Sequence, residues 1–390
     1  MVGNTDLYKT RRGGTPSMAN CTMSAHKNTY AVIMAGGIGS RFWPMSKESR
    51  PKQFLDILGT GRSLIQMTFD RLSRLVPAEN ILVVTQERYR GLVAEHLPQL
   101  PSENTLCEPF MRNTAPCIAY ANHWIANKAG SAAAEAAVIV APSDHLILKE
   151  DEFLEIANVA LKHTRDTTHL VTLGIHPSRP DTGYGYIQFE DLPNAGDERI
   201  RMVKTFTEKP QLELAEQFLA SGDFYWNSGI FIWSLQNITE AFEAHLPEMQ
   251  ALFEEHKSDF ATERESETIR GIYGECENIS IDYGVMEKAP NVAVVLSDFG
   301  WSDLGTWGSL HEKLPLDGSG NGTAGVELEA TEASGNVIVS DAGEAKKLIA
   351  LRGLDNFIVV DTADALLICP KADEQWIKQL VTQMKAGKQK

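Results

Sequence analysis

From Tyr30 onward, short apolar runs rich in β-branched residues alternate with longer segments of helical period. No other feature narrows the fold as much, because such alternation builds βαβ units around a largely parallel sheet. Strands are expected at 30–35, 81–85, 137–141 and 169–173, then at 184–189, 202–207, 229–233 and 292–296. Helices are expected at 63–75, 114–127, 153–161 and 212–219. In the second of these, Thr114 can cap the N-terminus, Pro116 suits the first turn, and Ile118, Ala121 and Ile125 share a face. With 390 residues, 43% of them hydrophobic, the chain can bury a core of this size. The expected fold is α/β: a Rossmann-like mixed or parallel sheet under helices, spanning 29–314.

Both flanks differ. Residues 1–28 are polar, lack the apolar run of a signal peptide, and read as a disordered tail. At 314–325 the stretch LPLDGSGNGTAG breaks every periodicity. Beyond it, 325–390 reads as a small β-rich C-terminal domain with strands at 336–340, 348–351, 357–361 and 365–369, closed by a charged helix at 373–384. No repeat regular enough for a long β-helix is visible there, and no constellation of acid, base or metal ligands. Packing or subunit contact is its expected role.

Acidic residues outnumber basic ones by 52 to 36, a formal net charge of −16. Nucleic-acid binding is not expected, since counterion release needs clustered Lys and Arg, whereas a nucleotide needs only a few placed cations. No run approaches the roughly 18 apolar residues of a membrane helix. Cys21, Cys107, Cys117, Cys276 and Cys369 lack CxxC spacing and read as the reduced thiols of a cytoplasmic protein.

The most informative segment is AVIMAGGIGSRFWPMSKESRPKQF at 31–54. A strand ends at Ala35 and opens directly into Gly36-Gly37-Ile38-Gly39-Ser40-Arg41. Glycines there let the backbone approach a phosphate and aim N–H groups at it. The dinucleotide fingerprint fails, because its third glycine falls on Phe42, and no Gly-Lys-Ser/Thr of a P-loop follows. Instead a proline-stiffened excursion carries Arg41, Lys47, Arg50 and Lys52, with Lys52 in Pro51-Lys52-Gln53-Phe54 placed to act as a fixed cation. Preorganised positive charge over a triphosphate is what nucleotidyl transfer requires.

GGIGSRFWPMSKESRPKQF resembles the signature of the sugar nucleotidyltransferases, in their mannose-1-phosphate guanylyltransferase branch, and the resemblance continues at intervals to about Leu310. It implies a nucleotidyltransferase domain in which Gly36, Gly37, Gly39, Ser40 and Arg41, following Ala35, wrap the triphosphate while Lys52 stabilises the phosphate under attack. Arg41 and Lys52 are the expected catalytic residues.

Asp144, after the strand AAVIVA, and Asp303, in FGWSDLGTW, both follow strand ends, where open α/β sheets bind ligands. Two carboxylates meeting across the crevice suit Mg²⁺ completed by phosphate oxygens, and both motifs match the family's metal positions. Either Asp could instead cap a helix. His145 reads as structural, because a His beside two Asp would better suit a transition metal.

Glu108, in EPFMRNTAP, can accept from the N1–H and N2–H₂ edge of guanine, and Asn113 and Thr114 could hold base or ribose or simply cap the helix. The segment resembles a family box that favours GTP. Three further segments resemble a sugar-phosphate pocket: Gly183 and Tyr184 in TGYGY, Glu208 and Lys209 in FTEKP, and Asn227 in YWNSGIF. Ser280–Lys288 also resembles a family segment, and helix packing is its simpler reading.

The reaction implied is attack by mannose 1-phosphate on the α-phosphorus of GTP, which gives GDP-mannose and pyrophosphate without a general base. Alternatives are the same chemistry on another hexose or heptose 1-phosphate, or a non-catalytic nucleotide-sugar-binding regulator; the latter is disfavoured because Arg41, Lys52 and both aspartates are present. The chain ends too soon after Gly320 for the cupin-type isomerase domain of bifunctional relatives. Exposed strand edges in the tail point to a homodimer.

Overall fold

A computed structural model describes residues 28–193, 197–341 and 346–387. The expected tail lies outside the described residues except for Asn28, and Cys21 lies outside with it.

Nine strands form the main sheet: β1 (Thr29–Ala35), β2 (Ile81–Gln86), β3 (Thr105–Glu108), β4 (Ala137–Pro142), β6 (Leu170–Ile175), β7 (Gly185–Pro193), β8 (Ile200–Glu208), β9 (Phe224–Ser234) and β10 (Val292–Ser297), in the order β3-β2-β1-β4-β9-β6-β10-β8-β7. Pairing is parallel from β3 through β4 and antiparallel around β9, so the sheet is mixed. β9 also pairs with β7, which curls the far half of the sheet. A short antiparallel ribbon joins β5 (Leu146–Ile147) to β11 (Trp301–Ser302).

β1, β2 and β4 are buried on both faces, which is why they read as unbroken apolar runs and not as alternating ones. Ala31, Ile33 and Ala35 of β1 point to one core, against α1 (Leu64–Leu72), α2 (Arg90–His96), α4 (Glu150–Asp166) and α5 (Leu212–Ser221). Tyr30 and Val32 point to the other, against α3 (Thr114–Ala129), α6 (Leu235–His245), α7 (Pro247–Glu255) and α8 (Glu265–Glu275). Ile65, Phe69 and Leu72 of α1 are fully buried, each stabilising by about 1.5–3 kcal/mol. A Ser63–Gln66 capping box starts that helix.

The C-terminal region is a short parallel β-helix, although no repeat is visible in its sequence. β12 (Gly322–Ala324), β14 (Val337–Ser340) and β16 (Phe357–Asp361) stack in parallel, with β17 (Leu366–Pro370) antiparallel at the edge. β13 (Val326–Thr331) pairs with β15 (Lys347–Arg352) on a second wall. Paired positions lie 21 residues apart between β14 and β16 and between β13 and β15, as where the amide of Phe357 donates to Asn336 Oδ1, but only 15 apart between β12 and β14. Buried Asn321 and Asn336 satisfy one another and the coil corners, Asn336 Nδ2 donating to Asn321 Oδ1 at 2.9 Å and to the Leu354 carbonyl at 2.6 Å. With so few coils and one wall largely exposed, the period leaves little trace in the hydrophobic pattern.

A third core fastens this region to the glycine-loop excursion. Phe42, Met45 and Leu55 pack with α9 (Trp307–His311), with Val337, Ile358 and Cys369, and with Ile377 of α10 (Glu374–Gly387).

Candidate active site

The glycine loop is held by side chains of β2 and of the Lys52–Phe54 turn. The Ala35 carbonyl accepts from Gln53 Nε2 at 3.0 Å and Thr85 Oγ1 at 2.8 Å, and the Gly36 carbonyl accepts from Gln86 Nε2 at 2.9 Å. Gly39 is required twice over: its φ is +70°, and a Cβ there would lie 2.5 Å from Lys52 Cβ. At Gly37, by contrast, a Cβ would meet nothing within 4 Å. Ser40 opens a 3₁₀ turn, Ser40–Phe42. Next to it, Arg41 donates from Nε to Gln375 Oε1 at 3.2 Å, across 334 positions of sequence.

Lys52 begins another 3₁₀ turn, Lys52–Phe54, and its backbone amide donates to the Ile38 carbonyl at 3.1 Å, closing the excursion onto the loop. The residue is only 3% exposed. Its Nζ lies 2.9 Å from Asp144 Oδ2 and donates to the Asp303 carbonyl at 2.6 Å. A buried ammonium needs such partners. Burial works to raise the Asp144 carboxyl, but the charge and hydrogen bond of the Lys52 ammonium outweigh it and hold the group below the usual carboxylate range.

Asp303 Oδ1 accepts from the Tyr184 hydroxyl at 2.7 Å and the Gly305 amide at 2.8 Å. Gly305 keeps space open beside Oδ2, since a Cβ there would sit 2.6 Å from that oxygen. Asp303 is not a helix cap; Thr306 caps α9 instead. The Trp301 indole N–H donates to His145 Nδ1 at 3.2 Å. An indole nitrogen only donates, so His145 carries its proton on Nε2, and burial keeps the ring neutral. A cavity of about 320 Å³ is lined by Gly39, Arg41, Lys52, Asp144 and Asp303. Two carboxylates with lone pairs to spare suit a hard cation completed by phosphate oxygens. Among the described residues, no cluster of three or more His, Cys, Asp or Glu forms a self-sufficient metal site.

Glu108 pairs in register with Gln86 at the carboxyl ends of β3 and β2, and its Oε2 faces Gly36. Burial pushes its carboxyl up to about 7, against a lowering hydrogen bond from the Tyr273 hydroxyl at 2.8 Å. Asn113 and Thr114 are committed structurally. Asn113 caps α3 through the Thr114 amide at 3.0 Å, and Thr114 Oγ1 accepts from the Ile281 amide at 2.9 Å.

Farther along the crevice, Glu208, Lys209 and Asn227 do come together. Lys209 pairs with Glu208, and Gly185 leaves room for the Glu208 carboxylate, since a Cβ there would sit against Oε2. Asn227 Oδ1 accepts from Thr172 Oγ1 at 2.9 Å, and its Nδ2 donates to Asp282 Oδ1 at 2.9 Å. Burial, then the charge of Glu208, push the Asp282 carboxyl up to about 6. Gly183 is exposed and donates its amide to Asp181 Oδ1 at 2.8 Å. Tyr184 links the two regions: its carbonyl accepts from the Lys209 amide at 3.2 Å and its hydroxyl donates to the Asp303 carboxylate.

Gln86 and Asp282 hydrogen-bond to the candidate residues Gly36 and Asn227, and the sequence reading missed both. Gln86 ends a strand and carries no motif, while Asp282 sits in a segment read as packing, and there it opens a π-helical turn, Asp282–Met286. Gln375 and Lys378 of α10 also reach the loop and the cavity from a region read as free of site residues.

A crevice at the carboxyl ends of a mixed α/β sheet, with a glycine loop, a buried lysine and two facing aspartates, is the frame of an enzyme that handles nucleoside phosphates. The chain belongs to the nucleotidyl transferase family, whose model matches residues 30–318, and residues 330–384 match the MannoseP isomerase/GMP-like beta-helix domain. It is 39% identical over 362 residues to an Escherichia coli mannose-1-phosphate guanylyltransferase, covering 91% of this chain and 73% of that protein. The Klebsiella pneumoniae mannose-1-phosphate guanylyltransferase is likewise 39% identical, over the same shares. Among solved structures, a Thermus thermophilus protein described as mannose-1-phosphate geranyltransferase superposes with a TM-score of 0.81 at 31% identity, covering 92% of this chain and 99% of that one.

Proposed function

We propose that this chain transfers the guanylyl group of GTP to mannose 1-phosphate, forming GDP-mannose and releasing pyrophosphate. The observation that carries this reading is Lys52, buried beneath the glycine loop and bridging Asp144 and the Asp303 loop. A sugar-phosphate oxygen forms the new bond to the α-phosphorus, and the bridge to the β-phosphorus breaks with its electron pair on pyrophosphate. The nucleophile is already an anion, so positioning and charge stabilisation carry the reaction. Lys52 and Arg41 neutralise phosphoryl charge. Asp144 and Asp303 would hold Mg²⁺, which when bound screens the phosphate oxygens. Glu108 and Gln86 read the guanine edge; Glu208, Lys209 and Asn227 receive the sugar phosphate.

The test is pyrophosphate release from each of the four nucleoside triphosphates, with and without mannose 1-phosphate. Release confined to GTP plus mannose 1-phosphate is expected. Release only with a different hexose or heptose 1-phosphate moves the sugar assignment, and none with any pair makes the chain a nucleotide-sugar-binding regulator. Chelation should abolish the reaction and Mg²⁺ restore it. A cytoplasmic setting fits the thiols at Cys107, Cys117, Cys276 and Cys369, all buried and free.

We also propose a homodimer. Among the described residues β17 pairs only with β16, and its outward Leu366 and Ile368 are exposed, as is Trp376 of α10. A second copy would cover that edge. Light scattering at micromolar concentration should return twice the chain mass, and a monomer mass defeats the claim.

A further inference from the structure

We propose that α10 belongs to the catalytic machinery: Lys378 contacts the departing pyrophosphate, and Gln375 positions Arg41 beside it. Lys378 lines the same cavity as Arg41, Lys52, Asp144 and Asp303, and it is the lining residue drawn from the C-terminal region. The residue is exposed, and among the described residues its ammonium has no hydrogen-bond or ion-pair partner. A lysine at a cavity that already holds two carboxylates and no counterion of its own is suited to a polyanion.

The placement is fixed. Ile377, next to it, is fully buried in the core shared with Phe42 and Trp307. Glu374 Oε2 accepts from the Gly308 amide at 2.9 Å, tying α10 to the helix just after Asp303. Lys385 pairs with Glu48, and Lys47 with Asp364, so the excursion that carries Lys52 is clasped from two sides. Gln375 Oε1 meanwhile holds Arg41 Nε at 3.2 Å.

Direction along the crevice identifies the ligand. The loop runs from Gly36, beside Gln86 and Glu108, to Arg41, so Arg41 and Lys378 flank the end away from the base pocket. Lys52, by contrast, lies at the buried floor. The group lying beyond the α-phosphorus is the β,γ-pyrophosphate. When the bridge to the α-phosphorus breaks, its electron pair remains on pyrophosphate, and Lys378 meets that added charge. This inference rests on the guanylyltransferase reading above.

The experiment compares the leaving group, free pyrophosphate, with GDP-mannose, the product from which the β,γ-pyrophosphate has departed, using the full chain. With Mg²⁺ present, calorimetry measures binding of pyrophosphate and of GDP-mannose to wild type, Lys378→Ala, Lys378→Arg and Gln375→Ala. Lys378→Ala should weaken pyrophosphate roughly tenfold, the scale of one charge-assisted contact, and leave GDP-mannose unchanged. Lys378→Arg should recover most of the loss, and Gln375→Ala should give a smaller loss with the same selectivity. Equal weakening of both ligands, or no change in either, overturns the proposal. Failure of wild type to bind GDP-mannose, with pyrophosphate still lost in Lys378→Ala, would instead sink the sugar-nucleotide reading and keep the Lys378 assignment.

Discussion

The proposed phosphate end of the crevice and the proposed base and sugar ends hold carboxyl groups under opposite conditions. At the phosphate end, Asp144 lies 2.9 Å from a buried lysine and its carboxyl is held down. At the other ends, buried Glu108 and half-buried Asp282 meet neutral donors, Tyr273 and Asn227, and rise to about 7 and about 6. Desolvation acts on all three, and only a cation in contact reverses it. On the proposed reading, the end that receives a polyanion has its carboxyl held down by a cation, while the ends that read hydroxyl or amide edges have carboxyls near a protonation boundary.

The largest break in this contrast comes from removing the cation. Lys52→Ala should lower turnover by roughly a hundredfold or more, the scale of a lost oxyanion-type contact, in protein that circular dichroism shows to be folded. Turnover near wild type would mean that the phosphate end does not depend on Lys52.

Two glycine substitutions sharpen the account of the loop. Gly39→Ala forces a Cβ onto Lys52 at a positive φ and should cost about 1–3 kcal/mol of stability, seen as a lower Tm. Gly37→Ala meets open space, so its Tm should match wild type while KM for GTP rises roughly tenfold as the methyl group intrudes on a phosphate. A Gly37→Ala enzyme with normal KM would place the triphosphate elsewhere.

The base end should respond to pH where the phosphate end does not. On the proposed reading the ionised form of Glu108 accepts from guanine, and burial raises its pKa to about 7. GTP affinity should therefore fall severalfold as pH drops from about 8 to about 6, a span that leaves unperturbed carboxylates ionised. In Glu108→Gln the slope should vanish. A slope that survives in that variant assigns the titration to another group.

The smallest effect is on stability. Because the Asp282 pKa is raised on folding, the folded state binds its proton more tightly than the unfolded chain does. Stability is then lost as pH rises from about 4, the unfolded value, through the folded value of about 6. Asp282→Asn retains an acceptor for Asn227 Nδ2 and removes the charge, so its Tm relative to wild type should climb over that window and then level off. A flat difference would mean that Asp282 is already solvated.

Much of the frame is legible locally. The expected strands at 81–85, 137–141 and 292–296 fall within β2, β4 and β10 because strands buried on both faces are unbroken apolar runs. β3 escaped because its four residues, Thr-Leu-Cys-Glu, show neither alternation nor a run. The helices between 235 and 275 escaped for a different reason: they close onto a core built by α3 and β9, which sequence spacing does not reveal.

By itself the sequence determined the glycine loop with its lysine, the two aspartates at strand ends, and the α/β alternation around them, since each follows from residue type and short-range spacing. The tertiary structure decided which side chains share a crevice. Only folding hands Asp282 to Asn227, Tyr184 to Asp303 and Gln375 to Arg41, across 55, 119 and 334 positions. It also decided that Asn113 and Thr114 are used in tying α3 down. A hydrogen bond depends on distance in space, and nothing in the local pattern of a chain encodes the distance between residues this far apart.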